Sequence, residues 1–307
     1  MEERELLPRI RVIKTKANRL ANEYMAGAYL SVFKGRGMSF EEVRPYQPGD
    51  DVRTIDWNVS ARTGDVYSKV FVEERELTFF LLVDMSPSVD IGTRGMTKRD
   101  LNTEVAASFA FSAIKNNDRV APIIYTDSAE HFVPPKKGTS HVMRVIRDLM
   151  TFRSSGEAAE GPGGLPDSLR FLMNVMKKRA NTVILSDFLL KPGELAAVDR
   201  AFSVAGRRHD LTCLPTLDPL DDPLARGIEL PAMGMVSLED PETGETRLMD
   251  FGSSKVRRTY SLRARERMAR VENLFKKHSI DYELLWTDQD WVPAVNRLYL
   301  RKAKRKK

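Results

Sequence analysis

Asp84-Met85-Ser86-Pro87-Ser88 places one carboxylate and two hydroxyls at alternate positions, directly after the apolar run at residues 79–83. Just past the end of a strand, three such oxygens can converge on one point. Hard oxygen donors of this kind suit magnesium or manganese. Hydroxyls are neutral ligands, so an ion held by them keeps positive charge for an incoming carboxylate. A second acid, Asp187, closes the apolar stretch at residues 183–186. If the two stretches are neighbouring strands, Asp187 comes within reach of Asp84, directly or through water. The same residues also permit a local role, with Asp84 holding a turn and Ser86 and Ser88 capping the helix that follows. The sequence alone leaves both readings open.

These groups need a frame, and the chain from residue 77 onward supplies one. Strand patterns at 78–84, 119–126, 181–187 and 210–217 alternate with helical patterns at 103–115, 140–151, 166–179 and 192–207. Such alternation predicts an α/β fold, an open and mainly parallel doubly wound sheet with helices on both faces. Groups past the carboxyl ends of its strands face the ligand crevice. A hairpin is expected at 235–238 and 246–249 around the turn at 240–245. An amphipathic helix at 254–278, a strand at 281–287 and a helix at 291–303 complete the pattern. Before residue 77 the text differs, with a helix at 9–28 and then a turn-rich β module whose clearest strand is 66–72. The expected division is therefore 1–75 for the helix and module, 76–300 for the α/β domain, and 301–307 for a basic tail.

The 307 residues are 42 % hydrophobic and 30 % charged, the balance of a globular protein with a full core. The net charge of +6 is matched by the six cations of Arg301-Lys302-Ala303-Lys304-Arg305-Lys306-Lys307. The body is neutral, so no specific nucleic-acid surface is indicated. The tail reads as a solvated, frayed end capable at most of weak peripheral contact with a membrane. No apolar run approaches transmembrane length and the N-terminus has no signal core. The lone Cys213 lies in an apolar stretch, a structural thiol fitting a reducing, cytoplasmic setting.

A second dense motif precedes the sheet. It runs Gly35-Arg36-Gly37-Met38-Ser39-Phe40, then Arg44-Pro45-Tyr46-Gln47-Pro48-Gly49-Asp50-Asp51-Val52-Arg53-Thr54-Ile55-Asp56-Trp57. Ala61-Arg62 and Glu74-Arg75-Glu76 follow, before the strand that ends on Asp84. Asp50, Asp51 and Asp56 beside Arg44, Arg53 and Arg62 suggest ion pairs that fix tight turns, with a ligand surface as the alternative. Trp57 and Tyr46 read as packing anchors against the sheet domain.

In these elements the chain resembles the bacterial domain-of-unknown-function family 58. The resemblance implies a von Willebrand factor A-like domain that works beside an AAA+ ATPase of the MoxR type, in assembly, maturation or stress functions. Asp84, Ser86 and Ser88 with Asp187 likewise resemble a metal-ion-dependent adhesion site, which implies Mg²⁺ or Mn²⁺ as the cofactor. That site also takes a threonine from a loop, and the matching position holds Leu165, with Asp167 or Ser168 as substitutes. The reading is of a non-enzymatic interaction adaptor. A metal-independent scaffold and a Mg²⁺-dependent hydrolase are the alternatives. The hydrolase reading is weak because a phosphatase of the D-x-D kind needs an acid where Ser86 stands. There is no P-loop, no zinc spacing among the four histidines and no nucleophile elbow.

Overall fold

The apolar runs that end on Asp84 and Asp187 are adjacent parallel strands in the computed structural model. It describes residues 3–20, 39–72, 77–93, 95–153, 163–190, 193–239, 241 and 244–305. Gly35 and Gly37, Glu74-Arg75-Glu76, Gly161-Pro162, Asp240 and residues 21–28 of the expected first helix lie outside them.

The chain divides into two units, residues 33–77 and the remainder, 1–32 with 78–307. In the smaller unit β1 (Ser39–Pro45) pairs antiparallel with β2 (Tyr67–Val72), and a short helix α2 (Trp57–Thr63) lies between them in sequence. The break after residue 77 falls beside the expected one at 75, but the first helix, α1 (Glu3–Leu20), groups with the sheet and not with the module. The reason lies in α3 (Lys98–Lys115), which buries residues on nearly every face. A helix without a solvent face needs cover on its outer side as well as a sheet beneath it. α1 and α4 (Thr139–Thr151) provide that cover.

The central sheet contains β3 (Thr78–Asp84), β4 (Arg119–Tyr125), β5 (Ala129–Phe132), β6 (Asn181–Ser186) and β7 (Asp210–Leu217). A two-residue β10 (Asp281–Tyr282) and β11 (Leu285–Trp286) both pair with β7. The order is β10-β7-β6-β3-β4-β5, parallel except for β5 at one edge. β8 (Met235–Glu239) and β9 (Thr246–Asp250) form the expected hairpin apart from the sheet. Strands buried on both faces read as continuous apolar runs, as β3 and β6 do. Phe80 and Leu82 of β3 face a core with Leu169 of α5 (Gly164–Val175), Phe202 of α6 (Glu194–Arg208) and Phe275 of α7 (Ser254–Lys277). Period-two alternation sends Phe79, Leu81 and Val83 to the α3 side. There the last helix, α8 (Val292–Arg305), brings Tyr299 to 6.0 Å from Phe109.

The basic tail is corrected by α8. Residues 301–305 continue the helix and are tied down. Lys302 is buried, with Nζ 2.7 Å from both Asp210 Oδ1 and Thr212 Oγ1. Arg301 pairs with Glu283 and Arg305 with Asp281. A charge count along the chain cannot see partners some ninety residues away.

Two buried groups are fixed by desolvation. The Cys213 thiol is pushed well up by burial, as an inert structural thiol should be. His209 accepts a hydrogen bond from the Ala180 N–H through Nδ1 at 3.3 Å. Burial first, and then Arg208 and Arg179, lower its pKa to about 4. Below pH 6.5 the unfolded chain therefore takes up a proton that the folded chain refuses until about pH 4. Stability is expected to fall across that window by up to about 3 kcal/mol. Urea unfolding at pH 7, 5.5 and 4.5 checks this, and His209→Gln should remove that part of the slope.

Candidate functional site

β3 and β6 are neighbours at the point where the connections leave the sheet in opposite directions, with β4 on one side and β7 on the other. That switch point opens a crevice at the carboxyl ends of the strands. Val83 pairs with Leu185 and Asp84 with Tyr125, so Asp84, Ser186 and Tyr125 come level. The register explains why Ser186, one residue before the expected acid, makes the direct contact. Its Oγ donates to Asp84 Oδ2 at 2.6 Å. Asp84 Oδ1 accepts from Ser86 N at 3.0 Å. Asp84, Ser86, Ser88, Ser186 and Asp187 line one cleft of about 50 Å³.

The geometry separates the two readings of the serines. Asp84 does hold the turn. Ser86 sits at the cap position of the short 3₁₀ turn Pro87–Asp90, yet its side chain makes no cap bond. Ser86 Oγ and Ser88 Oγ lie 3.1 Å apart, on the cleft. Burial, and then the negative charge of Asp187, push the Asp84 carboxyl up to about 7. Two carboxylates held close in a desolvated site repel one another, which disfavours the charged form.

Sequence reasoning missed the group that answers part of this charge. Lys98, at the first turn of α3, has no exposed surface. Its Nζ lies 2.8 Å from Asp187 Oδ2 and 3.1 Å from Asp221 Oδ2. Burial works against the Lys98 charge, but Asp187 and Asp221 outweigh it and raise its pKa. Asp221 is raised in turn, chiefly by burial. The available signal was Thr97-Lys98-Arg99-Asp100, a capping box that starts the helix at residue 98 and not at 103.

Asp84, Ser86 and Ser88 are donor types that a small divalent cation takes, although among the described residues no group of three or more acids, histidines or cysteines is placed to hold a metal ion. These three offer hard oxygens on one cleft, Asp187 and Asp221 share the buried Lys98, and magnesium keeps several waters when protein donors are few. Leu165 lines the cleft and brings no oxygen. Gly163 sets it there, with φ +59 and a place where a Cβ would stand 2.7 Å from Asp127 O. Asp167 and Ser168 do not substitute for a threonine. Asp167 pairs with Arg170 at 2.7 Å, and Ser168 Oγ donates to Gly164 O at 3.0 Å inside α5.

In the smaller unit Asp50 and Asp56 form ion pairs, the first with Arg44 and the second with Lys69 at 3.4 Å. Arg44 Nη2 donates to Asp50 Oδ1 at 2.7 Å, and this bond, followed by that from Gln47 N, holds the Asp50 carboxyl below its usual range. Asp51 instead caps a 3₁₀ turn through Arg53 N, and Asp56 caps α2 through Asn58 N and Val59 N. Both acids satisfy backbone donors that a helix start leaves open. Arg53 and Arg62 are exposed. Trp57 is 67 % exposed and finds no cover within the smaller unit.

The model of the family described as Protein of unknown function DUF58 matches residues 42–270. The chain belongs to that family. It is 30% identical over 297 residues to the uncharacterized protein Rv1480 of Mycobacterium tuberculosis (strain ATCC 25618 / H37Rv), covering 97% of this chain and 90% of that one. The uncharacterized protein YeaD of Bacillus subtilis (strain 168) is 30% identical over 107 residues, 35% of this chain and 25% of that one. Among solved structures, the conserved hypothetical protein BatB from Bacteroides thetaiotaomicron aligns with 74% of this chain and 99% of its own, at 13% identity and a TM-score of 0.47. Among the described residues, no helix is long and apolar enough to cross a membrane.

Proposed function

We propose that this DUF58 protein is a non-enzymatic interaction adaptor, with a von Willebrand factor A-like domain whose strand-end cleft captures a partner carboxylate. The observation that carries this reading is the convergence of Asp84, Ser86, Ser88 and Asp187 on one cleft at the switch point of the sheet. Mg²⁺ or Mn²⁺ on Asp84, Ser86 and Ser88 would supply an open coordination position for that carboxylate. Asp187, held by Lys98, is a fixed negative charge beside them. The partner is an AAA+ ATPase of the MoxR type, on the strength of the motif resemblance around Asp50 to Trp57. Ser86 stands where a phosphatase would need its general acid, which disfavours a hydrolase.

The test is affinity capture from native lysate in Mg²⁺ and in EDTA. An AAA+ ATPase retained only with Mg²⁺, and lost with Asp84→Ala, is the expected result. Equal retention in EDTA would retire the metal and leave a metal-independent scaffold. Leu165 and the Lys98–Asp187 pair are the observations favouring that second reading.

A further inference from the structure

A second site lies at the other end of the sheet, among residues the strand-end cleft does not use. A trough of about 700 Å³ runs between the edge strand β10 and the helix α8. Its floor is the continuous segment from Ser279 to Leu284, and its wall carries Arg297, Arg301 and Arg305. Among the described residues β10 pairs with β7 alone, and Glu283 N turns inward to Cys213 O. Tyr282 O turns the other way, to the open edge, where it accepts from Arg301 Nη2. The unpaired edge of the sheet therefore faces the arginines.

The arginines are held in place without being used up. Arg297 directs Nε to Glu283 Oε1 at 2.9 Å, and Arg301 reaches Glu283 Oε2 at 2.6 Å. Arg305 reaches Asp281 Oδ1 at 2.8 Å. The acids lie underneath, 11% and 17% exposed, whereas the three arginine side chains are 60%, 53% and 58% exposed. Each guanidinium has five donors, so each has donors left over. Lys276 adds a fourth cation against the two acids. Fixing guanidinium groups beforehand lowers the entropy lost when an anion binds.

We propose that this trough docks an extended segment of a partner protein carrying acidic side chains at alternate positions. The spacing selects that occupant. Arginines four apart on a helix repeat every ~6 Å, and side chains on one face of a strand repeat every ~6.6 Å. The three arginines span ~12 Å, too long for a single phosphate. An acidic extended segment lying in the trough meets the arginines with alternate carboxylates. This inference does not depend on the metal reading.

The test uses the full chain in EDTA and fluorescence anisotropy. The probes are a fluorescein-labelled peptide alternating Glu with Thr, and an isomer with the same residues in two blocks. The alternating peptide is expected to bind about ten-fold more tightly, because only it presents every carboxylate to one side. Arg297→Gln and Arg305→Gln should each weaken it about three- to ten-fold. Lys304→Gln removes the same charge from the same helix outside the trough, and should change binding less than about two-fold. Equal binding of the two peptides, an equal loss with Lys304→Gln, full competition by inorganic triphosphate or anionic vesicles, or no binding by the parent chain would each overturn the proposal. Thermal melts of the variants separate lost binding from lost fold.

Discussion

Lys98→Met is expected to unfold with roughly 3–5 kcal/mol less stability than the parent chain at pH 7.5. The lysine has no exposed surface, and it answers Asp187 and Asp221 together. Removing it leaves two carboxylates, 4% and 12% exposed, without the cation they share. The loss should depend on pH in a fixed direction. The Asp221 carboxyl is already raised by burial and loses the cation that lowers it, so the folded variant binds more protons than its unfolded chain. Its deficit is therefore smallest near pH 4–5 and grows as pH rises through the raised folded values. Denaturant unfolding of parent and variant at pH 5 and 8 measures the difference. A second variant keeps the idea falsifiable. Lys98→Met combined with Asp187→Asn and Asp221→Asn should recover much of the loss, because a buried ionic cluster removed whole costs far less than one broken in half. If the triple variant is as unstable as the single one, packing around the lysine stem dominates and the electrostatic account fails.

That cluster shows where sequence reading reaches its limit. β3 and β6 were legible because strands buried on both faces carry unbroken apolar runs, and each announced its end with an acid. From that, the mainly parallel sheet and the meeting of Asp84 with residues near 187 both followed. The partners of Lys98 stand 89 and 123 residues away, and no local pattern encodes such a distance. The same blindness misread the tail, since Lys302 looks like part of a solvated charge run until α8 sets it against Asp210. β5 escaped notice for a different reason. It is a four-residue edge strand, half-buried throughout, and so lacks both an apolar run and an alternation. α2 was hidden by its length, seven residues held by the Asp56 cap at one end and by Gly64 at the other, where φ is +83. In the smaller unit, residue type suggested ion pairs with arginines for Asp51 and Asp56, but both carboxylates first meet the backbone N–H donors of a helix start, and Asp56 pairs with Lys69 instead.

The strand-end cleft holds a tension that a single substitution exposes. Asp84→Asn is expected to make the metal-free chain more stable while removing any response to divalent cations. Asparagine keeps the acceptor that Ser86 N needs, so the turn survives. It removes a charge that the fold disfavours, since burial and then Asp187 push the Asp84 carboxyl up to about 7. A carboxyl raised in the folded state contributes a penalty that is absent below the unfolded value near pH 4 and complete above pH 7. The gain from Asn should follow the same course, near zero at pH 3 and between about 1 and 4 kcal/mol at pH 8. In thermal melts at pH 8 this is a rise of several degrees. With Mg²⁺ added, the parent should recover the deficit, because a ligand that binds only the folded state stabilises it in proportion to the logarithm of its concentration. The variant should not move. A parent chain that ignores Mg²⁺ while Asn still stabilises would mean that the charge at Asp84 is kept for a cationic side chain of the partner. A variant no more stable than the parent would mean that Ser186 and Ser86 already satisfy the carboxylate, and the argument for excess charge in the cleft would fall.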